Sequence, residues 1–145
     1  MREPVAAALL HAVCVTTIDQ LPEDWPVLFR RWNQSILDQD LEAFRDLLSA
    51  DVRVGLADGS ITHGPDAWIG ILEWMYRLLG VEGQTVDKWF TDGAATYGWQ
   101  WRHVGKTEAG RDFDLRGCTI CELHDGVVRR IDSYADTAQL ARLTS

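Results

Sequence analysis

The sequence of 145 residues carries 22 acidic and 14 basic side chains, for a formal net charge of −8, and 46% of its residues are hydrophobic; this is the composition of one ordinary globular domain. The acidic balance argues against nucleic acid as a partner, because phosphate groups are bound by clustered lysine and arginine. No apolar run approaches the roughly 20 residues that cross a bilayer, so we expect no membrane partner either.

The first segment, MREPVAAALLHAVCV, is apolar and superficially resembles a secretory leader. Glu3 and His11 interrupt it, and it has no clean small-residue cleavage site. We therefore predict a retained extra helix in an N-terminal extension over residues 1–25. A single domain over residues 26–145 follows it.

Three helices are predicted next. Pro26 suits the first turn of a helix, and the apolar residues after it recur at helical spacing. A short helix follows Asp40, and the alternating run DVRVGLAD then predicts a strand that ends at an Asp-Gly turn. The third helix lies between Pro65 and Gly80 and is apolar around most of its circumference, which is typical of a helix buried on more than one side.

The rest of the chain has the pattern of β-structure. Four strand-like runs, joined by Asp-Gly or other glycine-containing turns, are TVDKWFTDG, AATYGWQWRHVG, GRDFDLRGCTICELHDG and VVRRIDSYAD. Helices followed by an antiparallel meander indicate an α+β fold. Because the sheet must curl to bury the long helix, we expect a cone with an open mouth, and a short closing helix after the last strand.

Cys118 and Cys121 form a C-x-x-C, but strand alternation would place their side chains on opposite faces, about 10 Å apart along the chain. No second cysteine pair or neighbouring histidine completes a metal site, and no glycine-rich loop precedes a helix as phosphate binding requires. We expect no metal and no cofactor. The total of three cysteines favours the reducing cytoplasm over a disulfide framework.

The direction of the side chains decides which residues can do chemistry. On the strand around Cys118 the apolar residues share one face, and Thr119 lies on it, so Thr119 is predicted to face inward. Which face of the strand TYGWQWRH points inward is left undecided. Its aromatic face carries Trp99, Trp101 and His103, and its other face carries Gln100 and Arg102. In RRIDSYAD, either Asp132 and Tyr134 face inward, or Ile131 and Ser133 do.

The segment WRHVGKTEAGRDFDLRGCTICELHDGVVRRIDSYADTAQLARL resembles the SnoaL-like polyketide cyclases of the nuclear-transport-factor-2-like superfamily. The shared features are the R-H-V-G strand end, the Gly-Arg-x-Phe opening, His-Asp-Gly-Val-Val, and Tyr-x-Asp before the last helix. Upstream, LDQDLEAFRDLLSADVRV and ITHGPDAW also fit, so the similarity spans roughly Pro26 to Leu143. It implies a cone-shaped α+β fold and a homodimer formed through the outer face of the sheet.

The resemblance carries over none of three catalytic sets intact. The cyclase aspartate falls at Ser133, and the cyclase glutamine and histidine fall at Gly117 and Thr119. The isomerase aspartate falls near Leu56 and its tyrosine near Trp32. The epoxide-hydrolase tyrosine and asparagine fall near Val54 and Leu56, and its Arg-x-Asp near Gln100 and Arg102.

We predict the catalytic residues to be Asp132, His63, Arg102 and His103. The resemblance places Gln100 and Arg102 in the pocket, and it places Ile131 and Ser133 inside with Asp132 outside. A bulge would turn Asp132 inward for acid or base work; the alternative is an interface salt bridge with an arginine. His63 is expected at the cavity mouth or in a structural role. Predicted substrate-binding residues are Trp32, Leu56, Trp99, Gln100, Trp101, Thr119, Ser133 and Tyr134.

The predicted function is a cofactor-free cyclase or isomerase of natural-product biosynthesis. Its substrate would be a hydrophobic polyketide, terpenoid or prenylated aromatic, held by aromatic walls in a reactive shape, and its reaction could include intramolecular epoxide opening. One alternative is an epoxide hydrolase. Another is a non-catalytic domain for small-molecule binding or dimerisation.

Overall fold

The computed structural model describes the strand Val13–Cys14 and residues 25–145. Within these residues there are four helices: α1 (Val27–Asp38), α2 (Leu41–Arg45), α3 (Pro65–Leu78) and α4 (Thr137–Leu143). The strands are β1 (Val13–Cys14), β2 (Leu48–Leu56), β3 (Ile61–His63), β4 (Leu79–Thr91), β5 (Thr96–Thr107), β6 (Asp112–His124) and β7 (Val127–Ala135). They form one sheet in the order β1-β4-β5-β6-β7-β2-β3.

Local sequence signals set the helix ends. Pro26 immediately precedes α1, and Pro65 is the first residue of α3, where a missing backbone N–H costs no helical hydrogen bond. The side chain of Asp40 accepts from the backbone N–H of Ala43 and caps α2. Asp136 caps α4 in the same way. The helices predicted after Pro26, Asp40 and Pro65, and the closing helix, are confirmed.

One pairing in the sheet differs from the predicted antiparallel meander. All neighbouring strands are antiparallel except β2 and β7, which run parallel, with Val54 beside Ile131. This happens because the four strands between them bring the chain back alongside β2 in the same direction. The sheet is therefore mixed, and the predicted α+β class with a curved sheet around helices is confirmed.

The core lies between the concave face of the sheet and helices α1 and α3. Trp32 of α1 packs against Phe44, Trp68 and Trp99, with ring centroids 4.4 to 5.8 Å apart. Edge-to-face and tilted contacts of this kind add to the burial of large apolar side chains. The sheet contributes buried residues such as Val54, Leu115 and Ile131. None of the helices in residues 25–145 has the length and apolar character that a bilayer crossing requires.

Two elements depart from the sequence prediction. Val13 and Cys14, expected within a helix, form a strand that pairs with Val86 and Thr85 of β4; the rest of the predicted N-terminal helix lies outside the described residues. Strand β4 begins at Leu79 rather than near Thr85. Both differences extend the sheet along its β4 edge.

Candidate functional site

A cavity of about 310 Å³ lies between the concave face of the sheet and helices α1 and α3. Most of its walls are aromatic or aliphatic. The exposed lining residues Asp58, Trp74 and Thr137 mark its mouth. The deeper walls are formed by Trp32, Ile36, Trp68, Leu72, Gln84, Trp99, Trp101, His103, Leu115 and Thr119.

Strand β5 supplies the floor of the cavity through its aromatic face. Trp99, Trp101 and His103 are buried and alternate with the more exposed Gln100 and Arg102. The rings of Trp101 and His103 are stacked, with centroids 4.5 Å apart. The indole Nε1 of Trp101 donates to Thr119 Oγ1 at 2.9 Å. Of the two orientations that the sequence left open for this strand, the structure therefore has the one in which the aromatic face points inward.

His103 is the imidazole that the cavity presents to a ligand. Its side chain is buried, and its Nδ1 atom has no hydrogen-bond partner in the protein. Burial lowers the pKa of His103 from 6.5 to about 4, because charging the ring would require its desolvation in an apolar setting. The ring is thus uncharged at neutral pH and offers one acceptor and one donor nitrogen.

Gln84, which the sequence analysis did not single out, lies opposite His103 on the neighbouring strand β4. Its Nε2 donates to Oδ1 of Asn33, and Asn33 Nδ2 donates to the carbonyl oxygen of Phe29 at 2.9 Å. The Oε1 atom of Gln84 is buried without a partner. Gln84 shares an inward face with Val86, a signal that was missed because the strand was expected to begin at Thr85.

The cavity also brings together most of the predicted binding residues. Thr119 and Ser133 lie on adjacent strands with their hydroxyl oxygens 3.4 Å apart. Thr119 faces inward as its strand alternation predicted. The predicted residues that line the cavity are Trp32, Leu56, Trp99, Trp101, His103, Thr119 and Ser133.

Asp132 does not face the cavity, contrary to its predicted catalytic placement. It lies on the outer face, where its carboxylate accepts from Arg53 Nη1 at 3.0 Å and from Arg130 Nε at 2.6 Å. A bulge does occur in β7, but it lies before Ile131: Arg129 is the residue that is not paired with a residue of β6. Ile131 and Ser133 therefore keep the inward face, as the resemblance implied. Asp132 forms salt bridges with two arginines of its own chain, and its place in an interface stays a prediction.

Four other predicted residues also lie outside the cavity. Arg102 is on the outer face, where it binds Asp114 through two hydrogen bonds and holds the pKa of that carboxyl below its usual value. Gln100 and Tyr134 are exposed on the same face, since both alternate with inward neighbours. His63 is exposed on β3, away from the cavity lining.

The C-x-x-C behaves as strand alternation predicted. Cys121 is fully buried, whereas Cys118 pairs with Tyr134 on the outer face. Burial raises the pKa of both thiols, which disfavours the reactive thiolate. Among the side chains that the structure describes, no three from histidine, cysteine, aspartate or glutamate converge as metal ligands.

Several solved structures share this architecture. An NTF2-like protein of unknown function from Burkholderia pseudomallei superposes with a TM-score of 0.69 at 19% identity, over 80% of this chain and 93% of that chain. A "putative polyketide cyclase" from Xanthomonas campestris gives 0.66 at 18% identity, over 81% and 94%. A "putative isomerase" from Bacillus subtilis gives 0.72 at 12% identity, over 81% and 89%. These similarities concern the fold.

A comparison with curated proteins finds no match. The sequence profile of the SnoaL-like domain, in contrast, matches residues 29–131, from the first turn of α1 to the middle of β7. This match covers well over half of the sequence. The chain therefore belongs to the SnoaL-like domain family.

Proposed function

We propose that the protein is a cofactor-free cyclase or isomerase of natural-product biosynthesis in the cytoplasm, with a hydrophobic polyketide, terpenoid or prenylated aromatic as substrate. The observation that carries the proposal is an aromatic-walled cavity whose few polar atoms include an uncharged imidazole. Family membership and the names of two structural relatives support it. The proposal includes a homodimer formed through the outer face of the sheet.

The walls of the cavity would hold the substrate in a reactive orientation. Trp32, Trp68, Trp99 and Trp101 enclose the cavity from both the helix and the sheet side. A flexible apolar chain bound among these rings is held in few conformations, which brings its reacting ends together and removes much of the entropic barrier to ring closure. The same walls exclude water, so that an internal nucleophile meets little competition.

His103 would move the proton. Its uncharged ring accepts a proton from a substrate carbon or hydroxyl as the new bond forms, and returns that proton to the developing oxyanion. In an epoxide opening by an internal hydroxyl, the hydroxyl proton leaves to the imidazole, the carbon–oxygen bond of the epoxide breaks, and the epoxide oxygen receives the proton. The product is an isomer of the substrate, with no cofactor consumed.

Product analysis in ¹⁸O-labelled water tests the reaction class. The protein is incubated with linear polyketide esters and with epoxides of prenylated aromatics, and products are resolved by mass spectrometry. We expect products of unchanged mass. Incorporation of label would instead establish the epoxide hydrolase alternative, and tight binding without any product would establish the non-catalytic binding domain.

The variant His103→Phe tests the proton transfer. Phenylalanine keeps an aromatic ring against Trp101, so we expect binding to persist while turnover falls on the order of 100-fold or more. Gln100→Met, on the outer face of the same strand, is the matched control and should retain turnover. Full turnover in His103→Phe would exclude this residue as the proton acceptor.

A further inference from the structure

Two neighbouring residues of the cavity lining each carry a buried polar atom without a partner. Gln84 Oε1 and His103 Nδ1 belong to residues that pair directly across strands β4 and β5. Side chains so paired on one face of a sheet have Cβ atoms about 5 Å apart. The two side chains are therefore neighbours in the cavity wall, and a ligand placed between them can contact both.

The protein itself fixes which end of the Gln84 amide meets the ligand. The carbonyl oxygen of Phe29 can only accept, so Asn33 must present its NH₂ group there and its oxygen to Gln84. That oxygen can also only accept, so Gln84 must present its NH₂ group to Asn33. The atom left without a partner on this lining residue is the carbonyl oxygen Oε1, which needs a donor.

The rest of the lining offers no positive charge to an anion. Its residues in the described part of the chain include no lysine or arginine, and His103 is uncharged at neutral pH. A carboxylate, which only accepts hydrogen bonds, would meet the Gln84 oxygen without a donor and without a counter-charge. A neutral hydroxyl donates to Oε1, and its own oxygen can accept from the Nδ1–H tautomer of His103.

We propose that the cavity selects apolar ligands bearing a neutral hydroxyl, as an alcohol, phenol or enol, and that Gln84 Oε1 recognises the hydroxyl hydrogen. Gln84 is then a specificity-determining residue, held in place by Asn33. This inference rests on the proposed function and narrows its substrate class: the substrate carries a hydroxyl at the end that lies between β4 and β5.

Three probes on one ring system test the inference with the full-length wild-type protein. Isothermal titration calorimetry measures the affinities of 2-naphthol, 2-methoxynaphthalene and 2-naphthoate at pH 7. The methoxy probe keeps the oxygen but lacks the donor, and the naphthoate carries a negative charge. We expect 2-naphthol to bind roughly ten-fold more tightly than 2-methoxynaphthalene, as one buried hydrogen bond would give, and 2-naphthoate to bind most weakly.

A pair of matched variants assigns the preference to one residue. Gln84→Met removes the acceptor at similar length and should bring 2-naphthol down to the affinity of the methoxy probe. Gln100→Met makes the same change on the outer face of the next strand and should keep the preference. Preference retained in Gln84→Met would overturn the assignment. If that variant does not fold, the wild-type series still decides.

Equal wild-type affinities for the hydroxyl and methoxy probes, tighter binding of the naphthoate, or no binding of any probe would overturn the inference. Its failure is distinguishable from failure of the proposed function. A hydroxyl preference without turnover of any substrate leaves the selectivity standing and removes the catalytic role. Turnover without the hydroxyl preference leaves the proposed function standing and removes the selectivity.

Discussion

At the scale of single residues, the burial of His103 against Trp101 determines the charge of its imidazole ring. The imidazole is 4% exposed and lies flat against an indole ring. Such a position favours the neutral ring, since the charged form would lose its hydration without gaining a carboxylate partner. The stability of the fold must therefore respond to pH through this residue.

We expect wild-type stability to fall as the pH drops from about 6.5 to about 4. A histidine in the unfolded chain titrates near 6.5, whereas burial lowers the pKa of His103 to about 4. Between these values the unfolded chain binds the extra proton, so acid favours unfolding, by up to about 3 kcal/mol. Urea unfolding at pH 4.5 and pH 7.5 measures the difference, and His103→Phe should reduce it; an equal pH dependence in both proteins would contradict the burial.

Asp132 is predicted to act on stability rather than on the ligand. Its carboxylate joins Arg53 of β2 to Arg130 of β7, with 11% of its side chain exposed. Asp132→Asn should lower the free energy of unfolding by about 1–2 kcal/mol, because two charge-assisted hydrogen bonds are weakened and the arginines are partly solvated. Binding of 2-naphthol should be unchanged. Lost binding at unchanged stability would instead place Asp132 at the site.

At the scale of elements, the residue pattern of β5 left its orientation open, and the family register favoured the wrong face. The structure buries Trp99, Trp101 and His103, whereas the register transferred from relatives placed Gln100 and Arg102 inside. The sequence could not decide between the faces, because a ligand cavity is lined both by apolar walls and by a few polar groups, and each face of β5 carries side chains that suit one of these roles. Gln84 was missed because Gly80 and Gly83 weaken the strand signal before it.

Two glycines on different elements should respond oppositely to alanine. At Gly117 of β6, an added Cβ would lie 2.2 Å from Trp101 Cζ2 and 2.6 Å from the Tyr134 carbonyl oxygen. Gly117→Ala should therefore destabilise the fold by about 1–3 kcal/mol through overpacking. At Gly70 of α3 the added atom meets nothing within 4 Å, and alanine should stabilise by up to about 1 kcal/mol.

Thermal unfolding followed by circular dichroism measures both glycine variants. Each is compared with the wild type under the same conditions. A stable Gly117→Ala would show that the cavity floor can move away from β6. A destabilised Gly70→Ala would show that other residues pack against α3 at Gly70.

For the whole molecule, we expect a homodimer. Gln100, Cys118 and Tyr134 form a row across β5, β6 and β7 on the outer face, beside a shallow depression. Tyr134 is 47% exposed there, and the family resemblance implies association through this face. Sedimentation equilibrium should give twice the chain mass of 16.4 kDa.

Tyr134→Arg should convert this dimer to a monomer, because it places a charge at the centre of an interface between identical faces. Ile61→Arg, at an exposed position on β3, is the matched control and should stay dimeric. A monomeric wild type would contradict the expectation, as would a dimer that survives Tyr134→Arg.

The order of the four helices and of β2, β4, β5, β6 and β7 could be predicted because each is encoded by local spacing, capping residues and turns. Strand partners over long separations could not. Nothing near Val54 or Ile131 in the sequence indicates that they lie side by side in a parallel pair. The shape of the cavity depends on that pairing. The resemblance already placed Asp132 on the outer face, but its position beside Gly55 and Arg53 became evident only in the assembled sheet.

The same pairing governs how the chain can fold during synthesis. β2 leaves the ribosome early, but its neighbour β7 is synthesised only after β3, α3, β4, β5 and β6. Until then β2 and β6 each carry an unpaired edge, which is the kind of edge that recruits strands from other chains. A chain interrupted before Val127 would keep both edges exposed and should aggregate. The final strand therefore protects the sheet from pairing with other chains.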